Sequence, residues 1–163
     1  MKHELILAAY EAFGDKTPQT YDCGSLCGAA CCKCETEAQG GVDLLPGEET
    51  LLEGVNWAEI ARDDMMDAPM LMCNAFCERE KRPFLCRIFP LCPAMGKSGK
   101  WSVRMDARAR ALCPLSGSGL NGLDPDFVKA AVKAVRIIAS DPEGEAFLKK
   151  WADIEAEFRK PLW

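Results

Sequence analysis

Between Asp22 and Glu35 the chain reads DCGSLCGAACCKCE, which places Cys23, Cys27, Cys31, Cys32 and Cys34 within a dozen residues. This density constrains the fold more than any other feature. Five thiols so close together are not a packing pattern, and they leave no room for an ordinary amphipathic element. Cys23, Cys27 and Cys31 stand at i, i+4 and i+8, which on a helix traces one slowly drifting stripe. Gly24 and Gly28 weaken such a helix by roughly 1 kcal/mol each, and they let backbone approach an ion or a sulfide closely. The segment is therefore either a helical turn held by its ligands or a tight loop. Five more cysteines follow at Cys73, Cys77, Cys86, Cys92 and Cys113.

Ten thiols in one chain need a chemical reason. Thiolate is a soft ligand that selects zinc, copper(I) or iron–sulfur clusters over magnesium or calcium. Structural zinc takes four such ligands in a closed tetrahedron, so eight of the ten would make two four-cysteine sites. Disulfides are the poorer account, because adjacent Cys31 and Cys32 are awkward in a framework with demanding bridge geometry. The one histidine, His3, is far from the clusters, so mixed Cys/His zinc sites are not expected. A four-thiolate zinc site is doubly negative. Lys33, Lys81, Arg82 and Arg87 flank the cysteines and can offset that charge. Hydrolytic zinc chemistry would need an open coordination position and a nearby acid or base. Asp22, Glu35 and Glu37 are at hand, but carboxylates near a loop are usually just solvated. No phosphate loop, dinucleotide fingerprint or nucleophile elbow is present, and no histidine is paired with a cysteine for nucleophilic catalysis.

Charge narrows the partners. The formal net charge of −5 argues against a protein that coats nucleic acid or anionic membrane. The basic stretch Arg79–Arg110 interleaves Phe84, Phe89 and Trp101, whose rings are expected in the core rather than on a nucleic-acid face. Ten acids between Glu35 and Asp67, against Arg62 alone, read as a solvated acidic face. The N-terminal apolar run is short and broken by Glu4, unlike a signal peptide, and no stretch approaches the ~20 apolar residues of a membrane helix. The chain is expected in the cytoplasm, without a membrane.

Periodicity places the elements around the cysteines. A helix is expected over His3–Phe13 and a short one from Pro46 through Glu53, with acids in its first turn. Met70–Cys77 is expected as a short strand or buried turn. Phe89–Met95 and Lys100–Asp106 should pair as a hairpin, turning at Ser98-Gly99. Asp124 caps one amphipathic helix and Asp141-Pro142 starts another, giving a helical hairpin over about 124–159 that packs on the rest or meets a partner or second copy.

The ordered motifs resemble a known family. Cys23-x3-Cys27-x3-Cys31-Cys32, then Cys73-x3-Cys77, then Arg82-Pro-x2-Cys86-Arg87-x-Phe89-Pro90, then Cys113-Pro114, are similar to the YkgJ-type cysteine-cluster family, described as zinc- or iron-chelating. The Leu45-Pro46-x-Glu48 segment between the clusters also fits. The match covers about 22–114 and omits the first and last helices. The resemblance implies eight recurrent ligands: Cys23, Cys27, Cys31, Cys32, Cys73, Cys77, Cys86 and Cys113. Cys34 and Cys92 are extras, either substitute ligands or small buried hydrophobes. Related clusters in flagellin lysine N-methylases imply an iron–sulfur cofactor, but the radical-enzyme Cys-x3-Cys-x2-Cys spacing is missing here.

The expectation is therefore a single α+β domain over 1–163. It has a small, irregular, metal-stabilised cysteine core over about 22–114 with short helices and a β-hairpin, plus the C-terminal helical hairpin. Its expected function is to hold zinc in all-cysteine sites as a structural or binding module. The alternative is an iron–sulfur protein acting in electron transfer or protein modification.

Overall fold

The structure, a computed structural model, describes residues 1–32, 41–73 and 77–160. The helices are α1 (His3–Phe13), α2 (Gly24–Cys27), α3 (Phe84–Ile88), α4 (Pro125–Ile138) and α5 (Pro142–Glu157), and the strands are β1 (Val42–Asp43), β2 (Ala58–Asp63), β3 (Ala68–Cys73), β4 (Leu91–Met95) and β5 (Trp101–Met105). The class is α+β. The strands form two separate antiparallel sheets, β1-β3-β2 and β4-β5.

Helix α1 matches its expected span. Its buried face centres on Ile6, Ala9 and Phe13, with Leu5 and Ala8 at the margin, and His3 is exposed. Gly14 stops it at φ 53°, and its N–H donates to Tyr10 O. The C-terminal helices also follow their sequence signals. The Asp124 carboxylate accepts from Asp126 N at 2.7 Å and Phe127 N at 3.2 Å, and Asp141 repeats this with Glu143 N and Gly144 N. Each cap satisfies two backbone donors that the first helical turn leaves open.

These helices are not an appendage. Helix α1 lies along α4, α4 covers β5 and α5 covers β4. One continuous apolar core runs through Ile6, Phe13, Phe84, Ile88, Leu91, Phe127, Val135, Ile138 and Leu148. The Phe13 and Phe127 rings meet at 5.8 Å between centroids, tilted by 55°. A smaller cluster of Leu44, Leu52, Trp57 and Leu71 lies under the three-stranded sheet, with Cys73 and Cys77 packed against it.

The hairpin pairs Leu91 with Met105 through Met95 with Trp101. It turns where Gly96 N donates to Lys100 O at 2.9 Å and Gly99, at φ 73°, donates to Gly96 O. Three local readings change. The short helix after Pro46 is a 3-10 turn over Glu48–Leu52, because Gly47 sits at φ 89° and the helical conformation begins only after it. Met70–Cys77 begins as strand β3, which already starts at Ala68, and 74–76 lie outside the described residues. The acidic stretch contains β2, paired along its length with β3 from Ala58↔Cys73 to Asp63↔Ala68. Glu59 and Arg62 of β2 face solvent as expected, but Asp43 and Glu48 are buried. No helix among the described residues is long and apolar enough to cross a membrane.

Candidate metal centre

A cavity of about 790 Å³ opens between α2, the end of β3, α3 and the segment leading to Cys113. Its wall includes Cys23, Cys27, Cys31, Cys32, Cys73, Cys77, Cys86 and Cys113. Four chain segments thus bring all eight residues that the family resemblance implies to one space. Cys34 lies outside the described residues. Cys92 stands apart: it points from β4 into the apolar core at 0% exposure, and burial pushes its thiol up to about 12.

The backbone explains how five thiols crowd so closely. Asp22 opens the segment, with Gly24 N donating to its Oδ1 at 3.1 Å and Ser25 Oγ to its carbonyl at 2.8 Å. The single turn of α2 separates Cys23 from Cys27. Gly28 (φ 60°) and Ala29 (φ 56°) then both adopt the left-handed region and reverse the chain. That region is natural for glycine and unfavourable for alanine, so Ala29 stores strain to make this turn. A 3-10 turn over Ala30–Cys32 follows. The i, i+4, i+8 stripe is therefore not one helix but a turn folded back on itself. It leaves Cys31 Sγ and Cys32 Sγ 4.0 Å apart.

Cys86 and Arg82 are held by a buried carboxylate. Glu48, 0% exposed, accepts from Leu45 N at 2.8 Å and from Phe84 N at 2.6 Å, and Tyr10 OH donates to it as well. It thereby caps α3 and ties α1 to it. Arg87 stacks on the Tyr10 ring at 3.9 Å, while its guanidinium donates to Arg82 O at 2.7 Å and Glu80 O at 2.9 Å. These bonds fix the loop that carries Arg82. Tyr10 was not foreseen as part of the site. The Leu45-Pro46-x-Glu48 motif and the Arg82-to-Pro90 motif were its only sequence traces.

The electrostatics are those of crowded thiols. Burial raises Cys23, and Cys113, Asp22 and Cys27 add to it. Burial raises Cys86 well above its ordinary value, and Cys73, Cys32 and Cys77 add to it. Burial also raises Cys113, with Cys27 beside it. Within the adjacent pair, the shared hydrogen bond raises Cys31 and lowers Cys32. Burial alone would lower Arg82. A hydrogen bond to Cys77, and the charges of Cys77, Cys32 and Cys86, outweigh it and raise Arg82. Arg82 Nε is buried with no acceptor.

By donor type, thiols are what a soft cation selects. Thiols that raise one another by burial and like charge are relieved by a positive ion between them, which binds the deprotonated form. A buried guanidinium N–H among sulfurs suits thiolate acceptors. The side chains as they stand form no closed coordination shell, for among the described residues no three Cys, His, Asp or Glu side chains converge closely enough to hold a metal ion.

Part of the cavity wall is acidic, carrying Asp43 and Asp106. Asp106 takes a two-pronged contact from Arg108 at 3.1 and 2.9 Å, and Arg108 lies over the Trp151 ring at 4.4 Å. Asp43 is 8% exposed, and its Oδ1 meets no donor. Its neighbour is Asp63, whose carboxylate accepts from Met65 N at 2.7 Å and Met66 N at 3.1 Å. Burial, then the hydrogen bond with Asp63 and the charge of Asp63, push Asp43 up to about 7. Burial first, and then Asp63, thus favour the protonated form of Asp43 well above the usual carboxylate range.

No family model, no curated protein and no solved structure matches this chain.

Proposed function

We propose that this protein binds zinc in all-cysteine sites within the thiol-walled cavity and serves in the cytoplasm as a structural or binding module. One observation carries the reading: eight cysteines spread from Cys23 to Cys113 wall a single cavity. Packing alone does not require that coincidence: the main apolar core takes in Cys92 but none of the eight, and only Cys73 and Cys77 pack against the smaller cluster. Arg82, hydrogen-bonded to Cys77 and beside Cys32 and Cys86, supplies the positive charge that a doubly negative four-thiolate site calls for. The resemblance of the cysteine order to the YkgJ-type family supports the same chemistry. Zinc would add stability by closing the segments around the cavity, because binding free energy to folded-state ligands is folding free energy.

The test is metal analysis with an ultraviolet–visible spectrum on anaerobically purified protein. Zinc in stoichiometric amount, with no visible absorbance, is the expected result. Iron and sulfide in equal amounts would instead assign the cavity to an iron–sulfur cluster. Protein free of any metal after zinc-supplemented expression would sink both.

A further inference from the structure

The cavity is larger than its thiols need. A zinc ion about 2.3 Å from its sulfurs claims a sphere of about 50 Å³. The space measures about 790 Å³. Pockets for small organic molecules run from about 300 to about 1,000 Å³ and combine apolar walls with a few placed polar groups. The acidic part of the wall has that composition. It is knit by contacts that involve none of the eight cysteines. Asp106 N donates to Pro90 O at 3.0 Å, the Asp106 carboxylate holds Arg108, and Arg108 lies over Trp151 and, at 5.9 Å, over Phe158. Leu91 continues the wall from Pro90, and Asp43 stands beside Trp151 and Arg108.

Asp43 is left without a cation of its own. Three carboxylates, Asp43, Asp63 and Asp106, share this region with Arg108 and Lys150. Arg108 lends Asp43 some of its charge but directs both prongs at Asp106. Lys150 acts on Asp63 and donates to Met66 O at 2.7 Å. Asp63 is satisfied by the N–H groups of Met65 and Met66. Trp151 also favours the charged form of Asp43, yet Oδ1 has no donor within hydrogen-bond reach, and the residue is 8% exposed. A buried acceptor left open costs free energy that a ligand's donor recovers. A bare hard cation is the wrong occupant. Calcium asks for six to eight oxygens and magnesium keeps its waters, whereas Asp63 and Asp106 are already engaged and the rest of this wall is apolar.

The geometry points to a binding site for a small organic amine, its ammonium donating to Asp43 and its apolar body lying against Pro90, Leu91 and Phe158. An ammonium brings both the missing donor and the missing charge. A neutral alcohol brings only the donor, and a carboxylate meets like charge. The inference goes beyond the zinc reading and does not rest on it, since none of these groups is a thiol. In the free protein, burial and Asp63 favour the protonated Asp43. An ammonium beside it reverses that preference, as an opposite charge within about 4–6 Å does.

The experiment is calorimetric titration of benzylamine, benzyl alcohol and benzoate into the full chain at about pH 8, where the amine is charged and Asp43 has largely lost its proton. Benzylamine should bind at least about tenfold tighter than benzyl alcohol, the difference that a hydrogen bond to a charged group makes, and benzoate more weakly than either. Asp43→Asn should bring the amine down to the alcohol's affinity and leave the alcohol where it was. Should that variant fail to fold by far-ultraviolet circular dichroism, the three wild-type titrations still decide. Equal affinity for amine and alcohol would overturn the inference. So would tighter binding of benzoate, an amine preference that survives in Asp43→Asn, or no heat from benzylamine at millimolar concentration. Zinc content of the same samples reads the thiol site separately: amine binding in protein that holds no zinc would sink the zinc reading alone.

Discussion

Asp43 offers the sharpest test of how the acidic wall is built. The substitution Asp43→Asn keeps the shape of the protonated carboxyl and still has an N–H to give Asp63, but it no longer titrates. In the native chain Asp43 rises from 3.8 to about 7. A raised carboxyl contributes stability that is fully present below its unfolded value and is lost as pH rises through its folded value. Between about pH 4 and pH 7 the unfolded chain sheds this proton while the folded chain holds it, so stability falls. At about 1.4 kcal/mol per pH unit the full loss is about 4 kcal/mol, and hydration and side-chain relaxation reduce it to about 2. Asp63, held low against burial by Met66 N, Met65 N and Asp43, stays charged through this window and adds no slope. Asp43→Asn should therefore exceed wild type by only about 0.5 kcal/mol at pH 4.5 and by about 2 kcal/mol at pH 8, or roughly 4–8 °C in melting temperature. Urea titrations of both proteins at pH 4.5, 6 and 8 read the difference directly, and any common effect of the thiols cancels. A difference that does not change with pH, or a variant less stable at pH 8, would refute the raised Asp43 carboxyl.

Glu48→Ala should destabilise by on the order of 4 kcal/mol, because it orphans the buried N–H groups of Leu45 and Phe84 together with Tyr10 OH; Glu48→Gln, which keeps one acceptor, should cost about half of that by urea denaturation. Gly144→Ala should lower stability by about 1–3 kcal/mol, since a Cβ there would overlap the Ile138 carbonyl and the Met1 sulfur, and a thermal melt reads this without ambiguity. Removing metal with a strong chelator should lower the melting temperature yet leave the helical far-ultraviolet signal and a cooperative transition, because α1, α4 and α5 share an apolar core that contains none of the eight cavity cysteines. Loss of the helical signal on chelation would show that the core depends on the ion.

The helices were legible because each carries local signals: Asp124 and Asp141 as caps, prolines at the first turn and a stripe of period 3.6. The β4–β5 hairpin was legible from Trp101, Val103 and Met105 alternating with polar residues. Strand β2 was not, since Ala58-Glu59-Ile60-Ala61-Arg62-Asp63 alternates poorly and Ile60 is half exposed. Its pairing with β3 is a tertiary fact with no local mark. Ten soft ligands were legible from residue type and crowding, but it was the resemblance of their order to the YkgJ-type family that set the eight cavity residues apart from Cys34 and Cys92. The surroundings of those eight were not legible. Nothing in the sequence distinguishes Glu48 and Asp43, buried against backbone donors or another carboxyl, from the solvated acids around them. That distinction comes from which segments fold over them.

The left-handed pair Gly28–Ala29 and the late position of Cys113 bear on the order in which the chain is made. Chains emerge from the ribosome N-terminus first, at roughly 5–20 residues per second. Cys23, Cys27, Cys31 and Cys32 come out together, within ten positions, whereas Cys113 follows Cys23 by 90. Until Cys73 emerges, 41 positions after Cys32, the early thiols have each other as their only neighbours from the cavity set. The reversal at Gly28–Ala29 is local to that first segment, whereas the cavity wall is complete only once β3, α3 and Cys113 have followed. The chain thus makes one flank of the cavity in a single short stretch and waits for three later ones to close it.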